Sequence, residues 1–224
     1  MTADPRLVVF DVDGTLIDSQ DHILAAMDHA FAATGATLPA REAVLSIVGL
    51  SLPVAVERLV PHLPDGTRAD IVAAYKASFG QLRARTLSPL FPGAAEALRT
   101  LRARPEVMLG VATGKSRRGL SHILDAHGLN AHFVTTQVAD DHPSKPHPSM
   151  LLAALAETGT EAARAVMIGD TTFDIEMGLA AGMATVGVAW GYHPVAELAA
   201  AGADTVIARF DDLVPALDDL WRAA

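Results

Sequence analysis

The sequence predicts an α/β protein in which a parallel β-sheet is flanked by helices and an all-helical segment is inserted after the first strand. Two observations predict this fold class. Short apolar runs rich in Val and Ile recur without alternating with polar residues, as in strands that are buried on both faces of a sheet. Segments rich in Ala and Leu at helical spacing separate these runs, and such alternation of strand and helix indicates a parallel sheet.

The elements of the predicted sheet region follow one another in a regular order. Strands are predicted at residues 7–10, 107–112, 132–138, 165–168, 185–189 and 205–208. Helices are predicted at residues 93–104, 116–127, 147–158, 174–182, 194–201 and 211–222.

Residues 19–88 interrupt this order, because they contain no convincing strand pattern. Helices are predicted there near residues 20–34, 39–47, 51–60 and 68–84, with glycine and proline between them. The chain leaves the sheet after the first strand and returns around residues 89–92, so we expect the insertion to lie over the C-terminal edge of the sheet. Two domains are therefore predicted, namely an α/β core of residues 1–17 and 89–224 and a helical cap of residues 18–88.

The composition argues against several classes of function. A net charge of −9 with only 17 basic residues does not favour a nucleic-acid-binding surface. No apolar stretch is long enough to span a bilayer, and the first residues do not resemble a signal peptide. Because the sequence has no cysteine, disulfides and thiol nucleophiles are excluded. We expect a cytoplasmic monomer or homodimer with no nucleic-acid or membrane partner.

Polar residues follow the predicted strands, at the edge where open parallel sheets bind their ligands. In chain order they are Asp11 and Asp13, then Thr113, Gly114 and Lys115, then Lys145, and finally Asp170 and Asp174. The end of an apolar strand is an unfavourable place for carboxylates unless a positive charge joins them. The pattern therefore predicts a bound cation at this edge.

Carboxylates, a lysine and a hydroxyl in one place suit phosphoryl transfer through an aspartate. An aspartate that attacks phosphorus forms an aspartyl-phosphate and divides one difficult step into two easier ones. A carboxylate and a phosphate dianion repel each other, so the reaction needs a cation between them. Mg²⁺ prefers oxygen ligands and would screen both charges, so we expect Mg²⁺ as the cofactor.

Four stretches of the sequence resemble, in order, the four motifs of the haloacid dehalogenase superfamily. They are DVDGT at 11–15, TGK at 113–115, SKP at 144–146 and GDTTFD at 169–174. Within that superfamily, DVDGTLIDS, FPGAAEAL and SKPHPSMLL are most similar to the phosphoglycolate phosphatase-like hydrolases. The resemblance covers nearly the whole chain and implies a Rossmann-like core, an inserted helical cap, and a phosphatase that acts on a small phosphorylated metabolite.

The resemblance also implies a role for each matching acid and for the lysine. Asp11 would be the nucleophile, and Asp13 would protonate the leaving alkoxide and then accept a proton from the hydrolytic water. Asp11, the backbone carbonyl of Asp13 and Asp170 would bind Mg²⁺. Asp174 would hold a metal-bound water or orient Lys145. Lys145 would neutralise the nucleophile and the phosphate.

Residues beside these motifs have their own predicted roles. Thr113 and the backbone N–H of Gly114, at the start of a helix, would hold phosphate oxygens. Lys115 either belongs to the catalytic site or points to solvent from the first turn of that helix. Asp18 and Ser19 are expected to cap the first cap helix rather than contact phosphate.

The predicted cap contains no sharp motif. VGLS at 48–51 resembles the specificity loop of capped relatives, and a plain turn around Gly49 is the alternative. His22 and His29 are the only histidines expected to face a substrate from the cap. The sequence therefore leaves the leaving group open.

Other functions are compatible with the same scaffold. A phosphomutase of the β-phosphoglucomutase type would need the cap to exclude water, and a pyrophosphatase would differ in its leaving group. A dehalogenase has no use for Asp13 or for a metal. A non-enzymatic phosphate-binding protein would be free to lose Asp11 or Asp13, yet both are present. The leading hypothesis is an Mg²⁺-dependent phosphatase, with 2-phosphoglycolate as the first substrate to test.

Overall fold

The computed structural model describes residues 4–223, with the backbone alone for residues 83–85 and 223, and it confirms the predicted fold class. Its sheet has six strands, all parallel, in the order β3-β2-β1-β4-β5-β6. The strands are β1 (Arg6–Phe10), β2 (Val107–Thr113), β3 (Thr135–Val138), β4 (Ala165–Gly169), β5 (Ala184–Val188) and β6 (Thr205–Ile207). β3 begins later than predicted, because residues 130–132 form a 3₁₀ turn.

Ten α-helices lie within the described residues. They are α1 (Gln20–Thr34), α2 (Arg41–Leu45), α3 (Leu52–Leu59), α4 (Asp65–Arg85), α5 (Ala94–Arg102), α6 (Arg117–Ala126), α7 (Ser149–Thr158), α8 (Thr172–Ala180), α9 (Val195–Ala200) and α10 (Leu213–Ala223). α4 begins three residues before its predicted start, because the helix continues through Gly66 as far back as Pro64 at the N-cap. Within residues 4–223, no helix combines the length and the apolar character that crossing a bilayer requires.

β1 lies at the centre of the sheet and is buried on both faces. Successive side chains of a strand point to opposite faces, and here Val8 and Phe10 join one hydrophobic cluster while Leu7 and Val9 join another. All four side chains have no exposed surface. Because β1 is buried on both faces, residues 7–10 are all apolar, and the end of the strand is held in the core.

The four helices α1 to α4 pack around a third hydrophobic cluster, which includes Phe31, Val56 and Ile71. One member of that cluster, Phe173, comes from α8 on the sheet side of the molecule. Where the chain leaves and re-enters the sheet region, Ile17 pairs with Leu90 in an antiparallel bridge. The predicted domain limits of 17/18 and 88/89 stay a prediction.

Candidate active site

The ends of β1 and β4 bring three carboxylates together. These strands are neighbours, and the backbone N–H of Asp11 donates a 2.9 Å hydrogen bond to the carbonyl of Ile168. Oxygen atoms of Asp11, Asp170 and Asp174 all lie within 4.8 Å of one another, and all three residues are buried. The structure thus places three of the predicted site residues at one point.

Lys145 reaches the same point from the segment before α7. Its Nζ lies 2.7 Å from Asp11 Oδ1 and 2.7 Å from Asp174 Oδ1, and its side chain is fully buried. Asp174 is itself fixed at the start of α8, because its Oδ2 accepts hydrogen bonds from the backbone N–H (3.1 Å) and the hydroxyl (2.7 Å) of Thr171. Asp174 thus contacts Lys145 directly, and its predicted role in orienting the lysine stays a prediction.

The buried cluster has an excess of negative charge. Three carboxylates and one ammonium leave a formal charge of −2. Burial raises the pKa of Asp11 from 3.8 to about 7; Lys145 opposes this rise, and the charge of Asp174 adds to it. Burial, and then the charges of Asp174 and Asp11, also raise the pKa of Asp170 well above its usual value. Burial lowers the pKa of Lys145, but Asp11 and Asp174 outweigh that effect and raise it.

These residues fit a divalent cation. Within the described part of the chain, neither carboxylate oxygen of Asp11 has a hydrogen-bond partner, and Oδ1 is ion-paired with Lys145 Nζ at 2.7 Å. Asp170 is held in place, because its Oδ1 accepts from the Thr15 hydroxyl and its Oδ2 from the Tyr192 N–H, both at 2.9 Å. A doubly charged ion would cancel the excess charge, and an all-oxygen donor set suits Mg²⁺.

Gly14 makes this arrangement possible on the β1 side. Its backbone φ is +82°, a conformation that other residues rarely adopt. A Cβ at this position would also overlap the carboxylate of Asp170 and the ring of Tyr192. The glycine of the DVDGT stretch is therefore needed both for the turn and for the close approach of Asp170.

Asp13 lies beside the three acids, with its carboxylate turned to other partners. Its Oδ1 accepts a 2.5 Å hydrogen bond from the hydroxyl of Ser19, and its Oδ2 lies 2.7 Å from Lys115 Nζ. Ser19 is the N-cap residue of α1, as predicted, but its side chain makes no capping hydrogen bond and instead holds Asp13. The interpretation of Lys115 as a solvent-facing residue is wrong, because its side chain is only 9% exposed.

Thr113 and Gly114 lie at the end of β2, next to the cluster. Thr113 is buried, and its hydroxyl accepts a 3.2 Å hydrogen bond from the N–H of Lys115. α6 begins only at Arg117, with Ser116 as its N-cap, so Gly114 precedes the helix and is not at its start as expected. The prediction that the Gly114 N–H belongs to a helix N-terminus is therefore wrong. Thr113 and Gly114 do line the same cavity as Asp11 and Asp13.

A comparison with known proteins decides the family. Residues 8–188, well over half of the chain, match the family model described as haloacid dehalogenase-like hydrolase. The chain belongs to this family. The predicted resemblance is confirmed, and so is the prediction that the protein is a hydrolytic enzyme.

Two curated members of the family resemble the chain over almost its whole length. A protein named Probable phosphatase IndB from Dickeya dadantii (strain 3937) is 36% identical over 96% of this chain and 95% of its own. A phosphoglycolate phosphatase from Yersinia pestis is 32% identical over 95% of this chain and 93% of its own. Among solved structures, a hydrolase from Pseudomonas syringae has a TM-score of 0.85 at 26% identity, covering 96% of this chain and 98% of that one.

The loop at 48–51 of this family member lies against the site. The backbone N–H of Ser51 donates a 2.9 Å hydrogen bond to the hydroxyl of Ser144, the residue before Lys145. The carbonyl oxygens of Gly49 and Leu50 lie so near Gly114 that a Cβ there would be 2.5 and 2.6 Å from them. The loop is thus in direct contact with the predicted phosphate-binding segment, and its role in specificity stays a prediction.

Of the two histidines expected to face the substrate, neither lines the cavity that opens from Asp11 and Asp13. His29 is exposed, so the expectation is wrong for this residue. His22 is half-buried, and its Nδ1 lies 2.6 Å from the hydroxyl of Ser88, at the end of the insertion. Its partner is therefore the chain segment that returns to the sheet.

Sequence reasoning missed Tyr192 and Ser19 as site residues. Tyr192 follows β5, its N–H holds Asp170, and its hydroxyl lies 3.2 Å from the Ser19 hydroxyl. β5 is the neighbour of β4, and residues that follow adjacent parallel strands meet at one edge. That placement was the available signal for Tyr192, and a serine six residues after Asp13 offered none.

A cavity of about 470 Å³ opens from Asp11 and Asp13. Its other walls are formed by α1, α4, the loop at 48–51 and the segment from Thr113 to the first turn of α6. The carboxylates of Asp11 and Asp13 therefore line a partly open cavity whose other walls include the helical insertion.

Proposed function

We propose that the protein is an Mg²⁺-dependent phosphatase that hydrolyses a small phosphomonoester, as phosphoglycolate phosphatases do, through an aspartyl-phosphate on Asp11. One observation carries the proposal. Asp11 has a buried carboxylate with no hydrogen-bond partner among the described residues, and it lies in a cluster with two negative charges in excess. Such a carboxylate is available to a metal and to phosphorus, whereas a structural aspartate would be fully hydrogen-bonded.

In the first step of the proposed reaction, an Asp11 carboxylate oxygen attacks phosphorus and the bond to the ester oxygen breaks. Asp13, in its protonated form, gives its proton to the departing alkoxide, so a neutral alcohol leaves. In the second step, Asp13 takes a proton from water, which attacks the phosphorus and releases inorganic phosphate and the Asp11 carboxylate. Ser19 and Lys115 contact the two oxygens of Asp13 in its carboxylate form, which is the form that takes the proton from water in the second step.

The remaining residues supply charge and position. Lys145 lies against Asp11 and would neutralise both the nucleophile and an incoming phosphate oxygen. Thr113 and the N–H of Gly114 would bind phosphate oxygens beside it. Asp11, Asp170 and the backbone carbonyl of Asp13 would hold Mg²⁺, with Asp174 as the supporting acid. Bound there, Mg²⁺ would supply screening of the charge that builds up on phosphate oxygens.

The same proposal includes the protein's surroundings. We propose that residues 18–88 act as a cap over the sheet, that the partner is a small phosphorylated metabolite, and that no nucleic acid or membrane takes part. The chain would act in the cytoplasm as a monomer or homodimer. A concave cavity of about 470 Å³ with Asp11 and Asp13 in its lining supports a small substrate over a macromolecular one.

The test is release of inorganic phosphate from a panel of phosphomonoesters that includes 2-phosphoglycolate, and from the anhydride pyrophosphate, in Mg²⁺ and in EDTA. We expect release only with Mg²⁺ and a loss of at least about 10³-fold in Asp11→Asn, because the nucleophile is gone. Asp28→Asn is the matched control, as Asp28 is an exposed acid on α1. Equal rates for Asp11→Asn and the parent protein would refute the proposal, and interconversion of sugar phosphates without free phosphate would identify a mutase.

A further inference from the structure

The wall of the cavity that faces the reactive carboxylates is apolar. Ile23 and Met27 from α1 and Ile47 and Leu50 from the following segments line it, and all four side chains are buried. The volume of the cavity is about 470 Å³. Sites for ligands much larger than a two-carbon acid typically have volumes of about 300–1,000 Å³. A leaving group that enters this space exchanges water for hydrocarbon.

α4 adds two aromatic residues to this wall, next to the exposed Lys76 and Gln81. Tyr75 and Phe79 are stacked, with ring centroids 5.5 Å apart and an interplanar angle of 22°. Lys115 Nζ lies 5.1 Å from the centroid of Phe79 and also pairs with Asp13, so the aromatic pair is adjacent to the proposed leaving-group acid. Burial, and then the negative charge of Asp13, raise the pKa of the Tyr75 hydroxyl, which therefore remains neutral.

The cavity offers little to a negatively charged leaving group. Among the described residues that line it, the basic ones are Lys76, Lys115 and Arg118. Lys115 is already paired with Asp13 at 2.7 Å, and Lys76 and Arg118 are exposed. The carboxylate of 2-phosphoglycolate is one carbon beyond the ester carbon, so it would enter this apolar space. Among the described basic residues that line it, only Lys115 is not exposed, and Lys115 is shared with Asp13.

We infer that this enzyme prefers a phosphomonoester whose alcohol is uncharged and carries an apolar or aromatic ring, which packs against Tyr75 and Phe79. The inference rests on the proposed phosphatase function and specifies its substrate class. Ring-sized apolar groups gain from burial in such a wall and from contact with aromatic faces. A carboxylate-bearing alcohol gains neither.

The test compares kcat/KM for benzyl phosphate, ethyl phosphate and 2-phosphoglycolate in Mg²⁺. All three are esters of a CH₂–O group, so their differences report chiefly on what the CH₂ carries. We expect benzyl phosphate to exceed each of the others by at least about tenfold, since removal of a few buried carbons has that effect in an apolar pocket. In Phe79→Ala, the ratio of benzyl to ethyl phosphate should fall by about tenfold.

Asp70→Ala is the matched control, because Asp70 is an exposed residue of α4 outside the cavity lining, and it should leave the benzyl-to-ethyl ratio as it is. The inference is overturned if 2-phosphoglycolate or ethyl phosphate matches benzyl phosphate, or if Phe79→Ala leaves the ratio unaltered while its circular dichroism is that of the parent. In both cases the phosphatase proposal stands. Absence of Mg²⁺-dependent phosphate release from all three esters and from the wider panel would instead refute the phosphatase itself.

Discussion

Asp11→Asn is expected to stabilise the metal-free protein while it abolishes activity. The side chain is buried in a cluster with two excess negative charges, and its carboxylate lacks hydrogen-bond partners among the described residues. Asn has the same shape without the charge, and Lys145 keeps its ion pair with Asp174. The substitution therefore removes a carboxylate that folding forces into an unfavourable environment.

The magnitude follows from the pKa of Asp11, which is about 7 in the folded protein against 3.8 ordinarily. A group whose pKa is raised by folding contributes stability that is fully present below its unfolded pKa and is lost as the pH rises through the folded value. At pH 8 the ionised carboxylate costs about 4 kcal/mol relative to a neutral one, and at pH 4.5 only about 1 kcal/mol. The advantage of Asp11→Asn should grow across the window between these two values.

The assay is urea unfolding in EDTA between pH 4.5 and 8.5, followed by the fluorescence of Trp190 and Trp221. Both proteins are compared at each pH, so the contributions of titrating groups outside the buried cluster cancel. Saturating Mg²⁺ should reverse the order at pH 8, because the ion stabilises the parent more than the variant. A difference in the free energy of unfolding that does not vary with pH, or a variant less stable than its parent at pH 8 in EDTA, would refute the reasoning.

Three further outcomes are expected. Mg²⁺ at one hundred times its Kd should raise the melting temperature by about 5–11 °C, measured by differential scanning calorimetry; no shift would contradict a metal site. Gly114→Ala should cost about 1–3 kcal/mol in urea unfolding, because its Cβ would lie 2.5 Å from the Gly49 carbonyl oxygen, whereas Gly66→Ala, in open space within α4, should be neutral or stabilising. Lys145→Met should cost about 3–5 kcal/mol at pH 8 in EDTA, since it leaves buried acids without their cation; a loss below about 1 kcal/mol would argue against the ion pairs.

The main elements and the acids of the site could be predicted because their signals are local. α1 has the predicted bounds, since the apolar spacing begins after Ser19 and Gly35 ends the helix in a left-handed conformation. The carboxylates meet because neighbouring parallel strands end at one edge, which is a property of the topology. Their burial required a cation, and Lys145 is there.

What could not be predicted depends on contacts between distant segments. Ser19 has the sequence position of a helix cap, but the short turn after β1 brings its hydroxyl to Asp13 instead. Lys115 has the sequence position of a surface lysine, but Asp13, in the turn after β1, and Phe79 of α4 lie next to it in the fold. Tyr192 reaches Asp170 only through the pairing of β4 with β5. The spacing of residues along the chain does not predict any of these three contacts.

Phe173 and Asp174 are adjacent on α8 and face opposite ways. Phe173 enters the apolar cluster of the insertion, and Asp174 accepts a hydrogen bond from Lys145. Arg58 of α3 lies over the Phe173 ring, 5.1 Å from its centroid. If the insertion of another family member were grafted onto this sheet, its helices would therefore have to provide an apolar pocket for the Phe173 ring. A chimaera without such a pocket would expose Phe173, which is adjacent in the chain to Asp174, the acid that binds Lys145.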